Sequence, residues 1–404
     1  MEEWKQYRLI DVLETVIDYR GKTPRKTISG IPLITAKIIK NGRIETPSEF
    51  ISVDDYDSWM VRGFPKVGDV VLTTEAPLGE VAQLNDDRIA LAQRVVTLRG
   101  KSGILDNTYL KYYFLSHVGQ QRLKARETGT TVTGIKQSEL REVQVDVPPY
   151  QVQVQIASIL KSLDDKIEVN RRINENLEQQ SQALFKSWFV DFEPFKDGEF
   201  VESELGMIPK GWKVDSLSSI ADYINGLAMQ KYRPVDGEEG LPVLKIKELG
   251  QGAVDSNSEL CSPSLIGEKY IIDNGDIIFS WSGTLMVKIW CGGKCGLNQH
   301  LFNVVAKDYP KWFAYQWTKY HLDNFIRIAK DKAVTMGHIK RGELDKAKVL
   351  IPNNANLLTI DSIMKPIHQQ IINNEIESRR LASLRDTLLP RLMSGELKVN
   401  EIER

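Results

Sequence analysis

Apolar and polar positions along this chain follow two patterns, and each pattern occurs twice. Val67-Gly68-Asp69-Val70-Val71 and Asn274-Gly275-Asp276-Ile277-Ile278 are short β-rich runs opened by a Gly-Asp turn pair. Arg94-Val95-Val96-Thr97-Leu98 continues in that style. Between Asn107 and Arg126, Leu110, Phe114, Val118 and Leu123 take helical spacing. From Tyr150 to Phe189 a seven-residue step picks out Ile156, Leu163, Asn170, Leu177 and Leu184. A companion row holds Leu160, Ile167, Asn174, Ser181 and Trp188. That is a heptad seam, weakened by Asn174 and Ser181. A shift of 204 residues lands on Ile360, Ile367, Asn374, Leu381 and Leu388, with Asn again in third place. Pro148-Pro149 and Pro352 mark the two helix starts. Pro366 and Pro390 are expected to perturb the second helix near its ends.

The rest of the chain is duplicated at a similar spacing. Trp4-Lys5 recurs as Trp212-Lys213, each Trp followed five residues later by Leu9 or Leu217. Ile31-Pro32-Leu33-Ile34 recurs as Leu241-Pro242-Val243-Leu244, and Leu91-Ala92-Gln93 as Leu297-Asn298-Gln299. Ile135-Lys136, Glu139-Leu140 and Pro148 recur as Ile339-Lys340, Glu343-Leu344 and Pro352. Order is kept throughout. The fold class expected is α+β: two similar globular domains separated by two long antiparallel helices that form an intramolecular coiled coil, a pseudo-twofold repeat. The boundaries are residues 1–149 for the first domain and 150–193 for a central helix. Residues 194–354 follow as linker and second domain, and 355–404 as the C-terminal helix. Leu163, Asn170, Leu177, Ile367, Asn374 and Leu381 are the seam and register residues. Buried Asn170 and Asn374 would fix register at some loss of stability. The competing arrangement packs each helix on its own domain. About 40 helical residues make a rod of about 60 Å.

Composition narrows the class. The 404 residues are 42% apolar and 26% charged, as in ordinary globular proteins. No run is long and apolar enough for a membrane span, and Met1-Glu2-Glu3-Trp4-Lys5 lacks the blocks of a signal peptide. Three cysteines suggest a reducing cytoplasm rather than a disulfide framework. Net charge is −1, but it is unevenly spread: residues 18–40 carry six Lys/Arg against Asp18, and residues 327–348 carry seven against three acids. Such runs are either solvated faces or the footprint of a nucleic acid.

Ala183-Leu184-Phe185-Lys186-Ser187-Trp188-Phe189-Val190-Asp191-Phe192-Glu193-Pro194-Phe195, then Glu204-Leu205-Gly206-Met207-Ile208-Pro209-Lys210-Gly211-Trp212, resembles the central region of type I restriction specificity subunits. So do Leu163-Asp164-Asp165-Lys166-Ile167-Glu168-Val169-Asn170-Arg171-Arg172-Ile173-Asn174 and the ending Leu389-Pro390-Arg391-Leu392-Met393-Ser394-Gly395-Glu396-Leu397. The resemblance covers the whole chain. It implies that each globular domain is a target-recognition domain for one half of a split double-stranded DNA site. It further implies that the helices set the spacer and dock two modification subunits. Those subunits would bring S-adenosylmethionine, and restriction subunits would bring ATP and Mg²⁺, with no cofactor on this chain.

Motifs that carry catalysis are incomplete or missing. Val147-Pro148-Pro149-Tyr150 ends like an adenine methyltransferase motif, but valine cannot accept the hydrogen bond that its first position requires. There is no P-loop. Cys291, Cys295 and the nearby His300 fall short of the four ligands usual for structural zinc, and the five histidines form no triad. Asp164-Asp165-Lys166 reads as a charge cluster on a helix face. No catalytic, cofactor or metal residue is therefore expected.

Candidate DNA contacts are side chains suited to bases or phosphates. The first domain offers Arg20, Lys22, Thr23, Arg25 and Lys26 on a Gly/Pro-rich loop. It also offers Lys37, Thr73, Thr74, Gln93, Arg94, Thr130, Thr131 and Lys136. The second offers Gln230, Lys231, Tyr232, Arg233, Lys245, Lys247, Ser280, Ser282, Gln299, His300, Thr335, His338 and Lys340. Gln93 and Gln299 are alternatively buried structural amides. Two other classes remain open: a stand-alone pseudo-dimeric DNA-binding regulator, and a self-sufficient methyltransferase or nuclease.

Overall fold

The computed structural model describes residues 4–129, 133–331 and 339–399. It divides into two compact units, residues 1–166 with 381–404, and residues 167–380.

In the first unit the central antiparallel sheet has the order Leu13–Asp18, Val95–Gly100, Val70–Thr74, Leu78–Gln83. Both of its faces are covered. Val70, Leu72, Val81, Val96 and Leu98 join one core, with Tyr109, Tyr112, Tyr113 and Phe114 of the helix Asn107–Leu115. Val71, Ala82, Val95 and Ile17 point the other way, into a second core with Ile31, Leu33, Ile34, Ile51 and Leu91. Burial on both faces explains why Val70-Val71-Leu72 is an unbroken apolar run rather than an alternating one. The second core lies under a smaller sheet, in which Ala90–Leu91 pairs parallel with Ile31–Ile34. Lys5–Arg8 closes the domain against Gln144–Val147.

The second unit repeats this plan. Its central sheet runs Ala221–Asn225, Leu301–Ala306, Ile277–Ser280, Met286–Ile289, and Lys213–Ser216 pairs with Lys348–Ile351. Leu241–Leu244 pairs parallel with Cys295–Leu297. The Gly-Asp turns are built alike. Gly68 and Gly275 have φ of +90° and +88°, a conformation open to glycine without strain. Gly68 N donates to Leu84 O at 2.8 Å, and Gly275 N to Trp290 O at 2.7 Å.

One expected element differs. The helical stretch from Asn107 to Arg126 is two helices, Asn107–Leu115 and His117–Lys124. Buried Ser116 separates them, accepting from Gly119 N and donating to Tyr113 O at 2.6 Å. A side-chain oxygen that caps a new first turn starts a helix rather than continuing one. A Cβ on Gly119 would lie 2.1 Å from Tyr113 O, so the break also needs that glycine.

The first long helix is Tyr150–Phe189 and the second Asn354–Met393. Both are shorter than the 150–193 and 355–404 expected, and the second continues through Pro366 and Pro390 as one helix. Within the second unit the helices run antiparallel: Asn170 meets Asn374, Glu377 and Ser378, Asn174 meets Ile371, and Ser181 meets His368. Within the first, Ile156 and Leu160 share a core with Leu392 and Met393. Leu163, Leu177, Ile367 and Leu381 are half-buried, whereas Asn170 and Asn374 are buried. No helix of the described residues is long and apolar enough to cross a membrane.

Candidate nucleic-acid interface

In the first unit four separate segments converge where the central strands end. Thr74 N donates to Arg94 O at 3.0 Å, and Ile135 N donates to Thr74 O at 2.9 Å. Gly134 bridges to both Glu75 and Thr128. The Arg20 guanidinium donates to Ile135 O at 2.6 Å and through Nε to Asp18 Oδ2 at 2.7 Å. Thr23 Oγ1 donates to Gln93 Oε1 at 3.1 Å. The loops carrying residues 18–26, 74–75, 92–94, 128–129 and 133–136, far apart in sequence, are thus hydrogen-bonded into one patch. A cleft of about 470 Å³ opens in it, lined by Val16, Asp18, Arg20, Arg62 and Gln137.

The second unit makes the same joints. Trp281 N donates to His300 O at 3.4 Å, and Ile339 N to Trp281 O at 3.2 Å. Leu227 bridges to Asn298, and a Cβ on Gly226 would lie 2.3 Å from the carbonyls of Leu297 and Asn298. Asn225, which takes the strand position that Asp18 holds in the first unit, accepts from Trp281 Nε1 at 3.0 Å. Ser282 Oγ lies 3.3 Å from His300 Nδ1.

The candidate side chains sort into three groups. Lys22, Arg25, Lys37 and Lys136 in the first unit, and Lys231 and Lys340 in the second, are exposed. None of these six has an ion-pair partner among the described residues, so each presents a full charge to solvent. A second group is already paired: Arg20 with Asp18, Lys26 with Glu49, Arg94 with Glu75, Arg233 and Lys245 with Glu259, and Lys247 with Asp255. The third group is interior and corrects the expectation. Thr73 is fully buried, donating to Pro77 O at 2.7 Å and accepting from Glu80 N at 2.9 Å. Thr74 is buried beside it, and Ser280 is buried with its hydroxyl donating to Ser282 O and Thr284 O. These hydroxyls point inward because the strands that carry them are covered on both faces. Ser282 is also buried, Tyr232 packs against the small core around Met229 and Cys261, and Gln93 and Gln299 are half-exposed rather than buried. Thr130, Thr131, Thr335 and His338 lie outside the described residues.

The patch of the first unit also contains Arg62 and that of the second Trp281, two residues not expected there from sequence. Arg62 donates to Asp18 O at 2.7 Å and to Arg20 O at 3.2 Å. It arrives on a segment with no recognisable second copy, so duplication gave no signal for it. Trp281 stacks on Phe302 and faces His300. Its place, directly after the repeated strand, was such a signal.

Burial pushes the thiols of Cys291 and Cys295 up to about 11 and about 12, and all three cysteines are free. Among the described residues no group of three or more His, Cys, Asp or Glu is placed to hold a metal.

The family model described as type I restriction modification DNA specificity domain matches residues 1–179 and again residues 209–383. The specificity subunit of the type I restriction enzyme MjaIX of Methanocaldococcus jannaschii is 29% identical, over 99% of this chain and 95% of that one. That of the HindI enzyme of Haemophilus influenzae is 23% identical, over 98% and 100%. Among solved structures, the S subunit of a type I restriction-modification system from M. genitalium has the same fold, with a TM-score of 0.56 at 16% identity over 96% of each chain. A mixed scaffold present twice, each copy joining its loops by the same backbone bonds where the central strands end, is the two-domain architecture of a DNA specificity protein. The chain belongs to the type I restriction-modification DNA specificity family, and its function is DNA sequence specificity.

Proposed function

We propose that each unit's α+β domain reads one half of a split DNA site and that the paired helices act as the spacer ruler. One observation carries this reading: the loop joints of Thr74, Arg94 and Ile135 recur at Trp281, His300 and Ile339. A reading surface built twice from the same backbone bonds suits two half-sites of one target. The exposed Lys22, Arg25, Lys37, Lys136, Lys231 and Lys340 hold phosphates, while neutral and aromatic groups such as Trp281 and His300 face bases. The helices dock two modification subunits, and restriction subunits join that complex. This chain itself performs no chemistry: S-adenosylmethionine, ATP and Mg²⁺ belong to those partners.

The test is to co-express the chain with its modification subunits and map methylated adenines across the host genome. A split site with one fixed spacer is expected, and replacing the first domain with that of a relative should change one half only. A continuous site, or a domain exchange that alters both halves, overturns the reading. Purification of the chain as a DNA binder without any methyltransferase would favour the independent regulator.

A further inference from the structure

Within the apolar contact between each recognition domain and the long helices lies a small polar joint, and the two joints occupy the same four positions of the duplicated sequence. In the first unit Asp164 accepts hydrogen bonds from Tyr112 Oη at 2.7 Å, Lys111 Nζ at 3.1 Å and Arg385 Nη1 at 2.7 Å. Lys111 and Tyr112 belong to the domain's helix, Asp164 to the first long helix and Arg385 to the second. Adding 204 to each number gives Tyr315, Gln316 and His368, and subtracting it from Arg385 gives Ser181. Those four residues also meet. His368 Nε2 lies 3.0 Å from Ser181 Oγ and 3.2 Å from Gln316 Nε2, Gln316 donates to Ser181, and the Tyr315 ring stands edge-on to His368 at 5.4 Å.

The two sets share their positions, but no position keeps its residue type. One is charged, a carboxylate held by two cations and a phenol. The four groups of the other are neutral, an imidazole held by a hydroxyl and an amide, with Glu178 at their border accepting from Tyr315 Oη at 3.2 Å. Each is complementary within itself, and a residue moved alone from one set to the other would not reproduce the bonds of the set it enters. His368 at position 164 would face Lys111 and Arg385 with no anion between them. Arg385 at position 181 would stand beside a buried imidazole. Residues that diverge together while keeping mutual contact are constrained by that contact. Both joints tie three elements at once, so they fix the angle at which a domain leaves its helices. The apolar contacts around them, being non-directional, fix that angle less sharply than hydrogen bonds do.

We infer that Asp164, Lys111, Tyr112 and Arg385, and separately His368, Ser181, Gln316 and Tyr315, are positioning residues that set the orientation of each reading domain and hence the permitted distance between half-sites. This rests on the two-half-site reading above.

The experiment uses the full chain with its modification subunits and a DNA library in which the spacer length is randomised. Wild type is expected to select one length. Asp164→Ala and His368→Ala are each expected to admit neighbouring lengths while the half-site bases stay the same. Asp164→Glu and His368→Gln, which keep a hydrogen-bonding acceptor, should return the distribution toward one length. Leu98→Ala, a core change that removes none of the joint hydrogen bonds, should lower Tm but leave a single spacer, separating orientation from general loss of stability. If Asp164→Ala does not accumulate as folded protein, Tyr112→Phe removes one bond of the same joint and is expected to broaden the spacer in its place. A single unchanged spacer in the folded joint variants, or equal broadening in Leu98→Ala, overturns the inference. Failure of wild type to select any split site overturns the two-half-site reading itself, an outcome distinct from the other two.

Discussion

Asn374 Nδ2 donates to Asn174 Oδ1 at 2.9 Å, and Asn174 Nδ2 in turn donates to the backbone carbonyl of Ile371 at 3.1 Å. The asparagines thereby lock one helix of the second unit to the other at a single register, because a shift along the seam would separate every partner. Asn170 lies one turn away with its amide on Glu377 Oε2 at 2.7 Å.

Asn374→Leu leaves the Asn174 carbonyl without its donor and is expected to destabilise the protein by about 1–3 kcal/mol. Replacing both Asn174 and Asn374 by leucine should recover most of that loss, since a matched apolar pair needs no partners. Urea midpoints at unchanged slope measure both effects. A double variant that loses the sum of two single losses would show that the pair does not act as a unit.

The helices were legible because a heptad with asparagine in the same place survives duplication. The strands were legible because the Gly-Asp turn and its apolar run also occur twice. What could not be read was direction. Thr73, Thr74 and Ser280 look like surface polar residues by type, but their strands are covered on both faces and all three are buried, with the hydroxyls of Thr73 and Ser280 bonded inside. Asp164 looked like part of a solvated charge cluster because its partners, Lys111 and Arg385, lie 53 and 221 residues away. Duplication revealed that the loops belong together. It did not reveal which side chains were already neutralised by Glu49, Glu75 or Glu259.

The two polar joints should respond to acid at different pH. Burial holds His368 below its ordinary 6.5, at about 4, with nearby Glu178 raising it somewhat and Lys319 lowering it. Tyr315, Gln316 and Ser181 also contact it. A histidine kept neutral by folding contributes stability fully present above its unfolded value, which is lost as pH falls from about 6.5 towards about 4. The loss amounts to at most about 3 kcal/mol. Burial alone would raise the Asp164 carboxyl, but Lys111, Tyr112 and Arg385 bring it below its ordinary 3.8. Its contribution therefore persists through that window and is lost only in stronger acid. Melting temperature followed from pH 7 downwards is expected to fall through the histidine window in wild type and to stay flatter in His368→Gln. Equal slopes in the two proteins would rule out His368 as the source.

Arg20 and Lys22 are two residues apart and should behave differently. Arg20 is held by Asp18 and holds the carbonyl of Ile135, so Arg20→Ala should loosen the loop that ends at Ile135. Affinity for the first half-site is expected to fall by about 1–3 kcal/mol, with several base positions relaxed together. Lys22, exposed and unpaired among the described residues, is a phosphate contact in the proposed reading. Lys22→Ala should weaken all sequences alike and reduce the salt slope by about 1. Binding titrations of the assembled complex against single-base variants at several salt concentrations separate the two. Relaxation at just one base in Arg20→Ala would make Arg20 a base reader instead of a loop anchor.

The ruler can be lengthened without touching either reading surface. Four residues inserted after Ile167, matched by four after Arg380, add about 6 Å to each helix, close to two base pairs at about 3.4 Å each. The insertion points fall between the Asp164–Arg385 contact and the Asn170–Glu377 contact, so both sets of bonds can re-form on either side. Four residues also exceed one helical turn by only about 40°, which limits the twist introduced. Methylated sites mapped for the lengthened protein are expected to keep both half-site sequences and to gain about two base pairs between them. New half-site bases with the original spacing would mean that the helices support the domains without measuring the distance.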